Sequence, residues 1–265
     1  MTLVQIIVLA LVQGLTEFLP VYSSAHMIVG GKALGWTEQG LVFDVATHLG
    51  TLFAVFVYFR SELLGMARSC LQPVLTTQDR RHRSMVLYLA LASMPALVVG
   101  FFAHDLVELY LRDVRIIAWT TIGFGILLWV ADRVSSTERR VRDMNLKSAL
   151  LIGLAQAFAL IPGASRSGVT ITAGRFLGFS PDAAARFSFL LAIPVIAAAG
   201  TYGAIRVFTG DAVIDWSQFV LAMMFAAVAG WICIAAFLAL LKKVGLVPFV
   251  IYRLFLGIIL LWLVI

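Results

Sequence analysis

Pro162-Gly163-Ala164-Ser165-Arg166-Ser167-Gly168-Val169-Thr170 interrupts an apolar stretch running from about 148 to 180. Proline and glycine set a turn, and the residues after it predict a helix starting at about Ser165. A second apolar stretch, 3–35, is broken in the same way by Pro20-Val21-Tyr22-Ser23-Ser24-Ala25-His26. Lipid tolerates irregular backbone and bare charge only where they are buried in protein or line a wet cavity. Each stretch therefore reads as a re-entrant helical hairpin that enters the membrane, turns at its proline and leaves on the same side. The polar residues at the turns become candidates for a functional site.

The surrounding sequence is that of a membrane protein. Of 265 residues, 62% are hydrophobic and 13% charged, against about 45–50% and about 25% in soluble domains. Six stretches, near 42–59, 86–103, 115–131, 187–207, 217–241 and 246–265, are long enough to span, since a span needs about 17–25 residues. The net charge is +6, but the basic residues cluster in links beside apolar spans, as membrane orientation requires. Nucleic acid is therefore not the expected partner; the bilayer is. Cys70 and Cys233 show neither metal-type spacing nor a disulfide framework. The N-terminal run lacks a basic leader and a small-residue cleavage site, and does not read as a cleaved signal peptide.

Loop charges set the topology. The 60–84 link carries Arg60, Arg68, Arg80, Arg81 and Arg83, and the 132–147 link carries Arg133, Arg139, Arg140, Arg142 and Lys147. Both are expected in the cytoplasm, together with Lys242 and Lys243, while 104–114 and 208–216 are expected outside. The count closes only if both broken stretches are re-entrant, the first opening outward and the second inward. The expectation is an all-α integral membrane protein forming a single membrane domain, with six transmembrane helices plus two re-entrant hairpins. The two halves, about 1–131 and 148–265, then form an inverted-topology repeat whose broken elements meet near the midplane. Echoes between the halves agree: Gln13 precedes Pro20 and Gln156 precedes Pro162 at similar spacing, and Gly35-Trp36-Thr37 parallels Gly178-Phe179-Ser180.

The turns carry chemistry suited to phosphate. Gln13 and Glu17 are four apart and share a helix face, where they could hold a hard divalent ion, Mg²⁺ or Ca²⁺, completed by water and phosphate oxygens. Ser23 and His26, three apart, form a candidate nucleophile and base; alternatively His26 itself attacks phosphorus or protonates a leaving oxygen. Arg166 offers a fork of donors beside a helix N-terminus, and Ser165, Ser167 and Thr170 add hydroxyls, making a cradle for a phosphate or diphosphate. Asp44, Thr47 and His48 share a face near the outer end of the 42–59 span. Arg175 and Arg186, flanking the second hairpin, are explained equally well by cytoplasmic anchoring. A transporter or lipid flippase is the competing class, because broken helices in inverted repeats are transporter architecture; transport, however, needs no nucleophile with a base.

Together these residues resemble the bacterial undecaprenyl-diphosphate phosphatases of the bacitracin-resistance type. The resemblance rests on Gln13-Gly14-Leu15-Thr16-Glu17, on the Pro20–His26 run and on Pro162–Thr170, and extends to Phe43–Leu52 and Arg186–Pro194. It implies hydrolysis of undecaprenyl diphosphate to undecaprenyl phosphate and inorganic phosphate, which recycles the lipid carrier of peptidoglycan synthesis. It also implies divalent-metal dependence and a site facing the outer side of the bacterial inner membrane; a homodimer is compatible with it. By position, Glu17 becomes the metal or acid–base carboxylate supported by Gln13. Ser23 and His26 become the nucleophilic or proton-transferring pair, and Arg166, with Ser24, Ser165, Ser167 and Thr170, binds the diphosphate. Gln13 stands where many members have glutamate, and Tyr22 where many have serine, which leaves Ser23 as the better nucleophile candidate.

Overall fold

The computed structural model describes residues 1–263 apart from 24, 28–29, 31–34, 37–39, 73, 75, 112, 136–137 and 211–213, and only the backbone of 104–109. Ser24, one of the expected substrate-binding residues, lies outside the described residues. Among the described residues ten helices are delimited: α1 (Leu3–Thr16), α2 (Leu41–Tyr58), α3 (Arg60–Leu71), α4 (Thr77–Tyr110), α5 (Val114–Val134), α6 (Leu146–Gln156), α7 (Arg166–Phe176), α8 (Pro181–Thr209), α9 (Trp216–Val244) and α10 (Val247–Trp262). Their starts follow local chemistry. Thr2 and Gln5 close a capping box on α1, Asn145 caps α6, and Ser180 followed by Pro181 opens α8.

The chain is an all-helical, multi-pass membrane protein. Among the described residues, five helices are long and apolar enough to cross a bilayer: α2, α4 over Thr77–Ala103, α5, α8 and α9. The sixth expected span, α10, has 16 residues, slightly short of the roughly 20 that span the hydrocarbon core. Part of the 60–84 link, read as a polar loop, is the helix α3.

Both broken stretches fold as helix, turn and, after the turn, helix. In the second, α6 tightens into a 3₁₀ turn over Ala157–Leu160, passes through the turn at Pro162 and resumes as α7. In the first, α1 ends at Thr16, and helix resumes at Ser23 and residues 25–27. The leading arms lie against long helices at glycine contacts. A Cβ on Gly14 of α1 would stand 2.6 Å from the carbonyl oxygen of Ala226 in α9, and one on Gly153 of α6 would collide with the backbone of Ala92 in α4. Helix α5 packs along α10, and α2 packs along α8 and α9.

Beneath the first turn lies an aromatic cluster. Phe18, Phe59, Phe189 and Phe237 are almost fully buried. Phe18 meets Phe189 edge-on at 5.4 Å, and Phe237 meets Phe249 edge-on at 4.8 Å. Such pairs add directional preference to burial and fix residues 17–18 against α8 and α9. The second hairpin is fastened at its base by charge. Arg175, buried, donates to Asp132 at 2.9 Å and to the Phe179 carbonyl at 2.6 Å. Arg139 donates to the Leu177 carbonyl at 3.0 Å and lies 4.2 Å over the Phe179 ring. Arg186 bonds Asp182 and Glu62 at 3.2 and 3.3 Å. These basic residues therefore fasten helices to one another, whatever they contribute to membrane orientation.

Candidate active site where the two turns meet

The helix resumes after the second turn close to where the sequence placed it, with Ser165 as the N-cap of α7. Gly163 has φ +93°, and a side chain there would strike Thr120 and Ile117 of α5. Ser165 has φ +69°, the sole positive value at a non-glycine among the described residues. Such strain costs about 1–3 kcal/mol and collects at functional sites. The surroundings hold it in place: Ser165 Oγ accepts from the Gly168 N–H at 3.2 Å and lies 3.2 Å from Ser167 Oγ.

Two direct contacts join the turns, and a third fixes Glu17 within its own hairpin. Arg166 Nη2 donates to Glu17 Oε1 at 3.2 Å, with both side chains nearly buried, 13% and 11% exposed. Ser167 Oγ donates to the Leu19 carbonyl at 2.6 Å. Gln13 Nε2 donates to the other Glu17 oxygen at 2.8 Å. Glu17 thus accepts from an amide of its own hairpin and from a cation of the other. Arg166 is fixed at its second arm as well, where Nη1 donates to the Ser188 carbonyl of α8 at 3.1 Å. Ser188 also meets Thr170 hydroxyl to hydroxyl at 2.7 Å. Ser165, Ser167 and Thr170 are buried, and their hydroxyls brace the turn and join it to its neighbours.

Arg253 of α10 completes the junction, and the sequence reading passed over it. Its side chain is fully buried. Nη1 donates to the Pro20 carbonyl at 3.2 Å and to Ala164 at 2.9 Å, Nη2 to Gly163 at 2.8 Å, and Nε to Thr121 of α5 at 3.2 Å. One guanidinium therefore satisfies carbonyls from both turns. The signal was present: a lone arginine inside an apolar span. Ser188, within the Arg186–Pro194 segment, carried no such signal.

His26 is anchored differently from the expected pair with Ser23. Nδ1 lies 3.0 Å from the Tyr22 carbonyl, and Nε2 lies 2.6 Å from the Tyr252 hydroxyl. Asp44, Thr47 and His48 do not reach the turns through any described hydrogen bond; Thr47 and His48 bond carbonyls of their own helix. No three His, Cys, Asp or Glu side chains gather as a metal cage among the described residues. Glu17 offers one carboxylate, with Gln13 beside it. That donor set suits a hard ion sharing its coordination with phosphate oxygens and water, rather than one held by protein alone.

The sequence as a whole matches one family model, described as bacitracin resistance protein BacA, over residues 6–259. The chain belongs to this family. Among its relatives is the undecaprenyl-diphosphatase 1 of Pseudoalteromonas translucida, 46% identical over 258 residues and 97% of each chain. Undecaprenyl-diphosphatase 2 of Stutzerimonas stutzeri is 49% identical over 264 residues and 98% of each chain. The undecaprenyl-diphosphatase of Alteromonas mediterranea is 44% identical across 100% of this chain and 99% of its own. In this BacA-family chain, the two interruptions that marked the sequence are also where the hairpins touch.

Proposed function

We propose that this protein hydrolyses undecaprenyl diphosphate to undecaprenyl phosphate and inorganic phosphate, returning the lipid carrier to peptidoglycan synthesis. The observation that carries this reading is the Arg166–Glu17 pair, which sets a phosphate-binding guanidinium and a carboxylate from opposite hairpins side by side. A guanidinium has five N–H donors. Two of its arms are held by Glu17 and Ser188, so Arg166 is fixed in direction and keeps donors for the diphosphate. Positive charge placed there beforehand stabilises the negative charge that spreads over phosphoryl oxygens in the transition state.

In this reading Ser23 attacks the terminal phosphorus. A bond forms from its oxygen to phosphorus, the bond to the bridging oxygen breaks, and the lipid monophosphate departs. His26 takes the serine proton, and water later releases phosphate from the serine. Ser165, Ser167 and Thr170 keep the turn in shape around the diphosphate. A divalent ion would be held by Glu17, with Gln13 at its side, and by the phosphate oxygens themselves; when bound it supplies additional positive charge. The polyprenyl tail lies along apolar helix faces in the bilayer.

The finer architecture belongs to the same proposal: an inverted-topology repeat of halves 1–131 and 148–265, six spans in all, in the bacterial inner membrane, with the site open to the periplasmic face. Its support is the exchange of helix pairs. Helix α1 on α9 corresponds to α6 on α4, and α2–α8 and α5–α10 each map onto themselves. A two-fold axis in the membrane plane requires this pattern.

Phosphate release from undecaprenyl diphosphate by purified protein tests the activity, with and without chelator and beside His26→Ala. Turnover by the wild type that is lost on chelation and in the variant supports the reading; no turnover by the wild type removes it. Membrane-impermeant labelling tests the orientation. Cys70 is exposed and should label only from the cytoplasm, and a cysteine at Thr209 only from outside.

A further inference from the structure

We propose that Tyr252 is a positioning residue for His26: its hydroxyl bonds the imidazole nitrogen that carries the lone pair and holds the ring at the turn. The hydrogen bonds determine the tautomer. A carbonyl oxygen only accepts, so the Tyr22 carbonyl 3.0 Å from Nδ1 requires the proton to be on Nδ1. Nε2 of the neutral ring is then an acceptor, and the Tyr252 hydroxyl 2.6 Å away donates to it. The planes of the two rings lie 4° apart, with centroids 5.7 Å apart, so ring contact and hydrogen bond together restrict rotation of the imidazole. The hydroxyl also serves the protonated ring. To receive the serine proton at Nε2 the Tyr252 hydroxyl turns its hydrogen away, and once Nε2 carries that proton the Tyr252 oxygen accepts from it.

The placement of Tyr252 follows from its neighbour. Arg253 is locked to three carbonyls of the two turns and to one of α5, which fixes the rotation of α10 at this level. Tyr252, one residue earlier, is 45% exposed and reaches His26 from a helix that cannot turn freely. Orientation of a histidine by a second group is a recurring way of setting its reactive nitrogen.

The inference rests on the proposed phosphatase reading for its kinetic test, and a second measurement does not need that reading. Tyr252→Phe keeps the ring and removes the hydroxyl. It should lower kcat about tenfold, the size of effect expected for one lost hydrogen bond, with KM within twofold. The double variant with His26→Ala should be no slower than His26→Ala alone. A Tyr252→Phe kcat equal to wild type, or losses that multiply in the double variant, would overturn the proposal. Independently of turnover, ¹⁵N spectra of histidine-labelled protein, with the His26 signal assigned by its loss in His26→Ala, should show protonated Nδ1 and unprotonated Nε2 in the neutral ring. In Tyr252→Phe the Nε2 resonance should move while Nδ1, still bonded to the Tyr22 carbonyl, stays protonated. An unmoved Nε2 resonance overturns the proposal even if no substrate is turned over; a moved one, in a protein that releases no phosphate, removes the phosphatase reading alone.

Discussion

The two hairpins are built alike and used differently. In the second, the turn is braced by its own helix and its neighbours: Ser165 caps its own helix, Thr170 bonds Ser188 of α8, Arg253 holds the Gly163 and Ala164 carbonyls, and only Arg166 extends toward the other tip with charge. In the first, the reactive side chains depend on partners from elsewhere. Glu17 depends on Arg166, His26 on Tyr252, and the Leu19 and Pro20 carbonyls on Ser167 and Arg253. The second turn is a frame and the first is what the frame holds. Two broken helices of similar shape thus meet, and their roles differ because their side chains differ.

The sharpest way to break that comparison is Arg166→Ala. Glu17 would keep its amide partner and lose its cation, while the diphosphate would lose its fixed fork. Phosphate release from undecaprenyl diphosphate should fall about a thousandfold, the upper range for removing one preorganised donor. Turnover within threefold of wild type would reduce Arg166 to a structural partner of Glu17.

Arg253→Lys tests whether the frame and its cargo are one unit. Lysine carries a single ammonium and cannot span carbonyls from both turns and α5. With hydrogen bonds from charged groups worth about 1.5–3 kcal/mol each, and part of that recovered by the ammonium, thermal unfolding in detergent should show a loss of about 3 kcal/mol. An unchanged melting temperature would mean that the turns hold together without it.

Much of this was legible beforehand, for a physical reason. Hydropathy and proline mark where helices break in lipid, so Pro20 and Pro162 marked both turns, while the inversion expected from loop charge is a matter of orientation that the helices alone do not decide. Glu17 and Arg166 were visible because charge at membrane depth is costly and must have a partner. What stayed hidden is long-range. Arg253 bonds carbonyls 233 and 90 positions away, and Tyr252 reaches His26 across 226. No local spacing encodes such a contact. The hydroxyls of Ser165, Ser167 and Thr170 were legible as polar but not as occupied, since residue type does not say whether a donor faces a ligand or a neighbouring strut. Helix α3 was missed because it has only 12 residues and carries Arg60, Glu62 and Arg68, and hydropathy finds only helices that lipid requires.

Glu17→Gln sharpens the comparison from the side of the first hairpin. The change preserves shape and removes charge. Activity should then require about ten- to hundredfold more divalent metal, the range seen when a metal's close partners are altered. Titration of phosphate release with Mg²⁺ and Ca²⁺ reads it, and an unshifted midpoint would take Glu17 out of metal binding.

The smallest effect separates the twin glutamines. Gln13 and Gln156 occupy similar places before their turns, and both are buried, at 4% and 1% exposure. Gln13 has Glu17 to bond. Position 160 of the second hairpin is leucine, and the amide nitrogen and oxygen of Gln156 have no hydrogen-bond partner among the described residues. An unpartnered buried amide costs about 1–3 kcal/mol, and a similarly sized apolar replacement removes that cost. Gln156→Leu should therefore raise unfolding stability by about 1 kcal/mol and leave turnover within twofold. Gln13→Leu should lower turnover, because Glu17 loses the donor that orients it. Equal behaviour of the two variants would mean that the hairpins share the work, and that the asymmetry between frame and cargo does not extend below the turns.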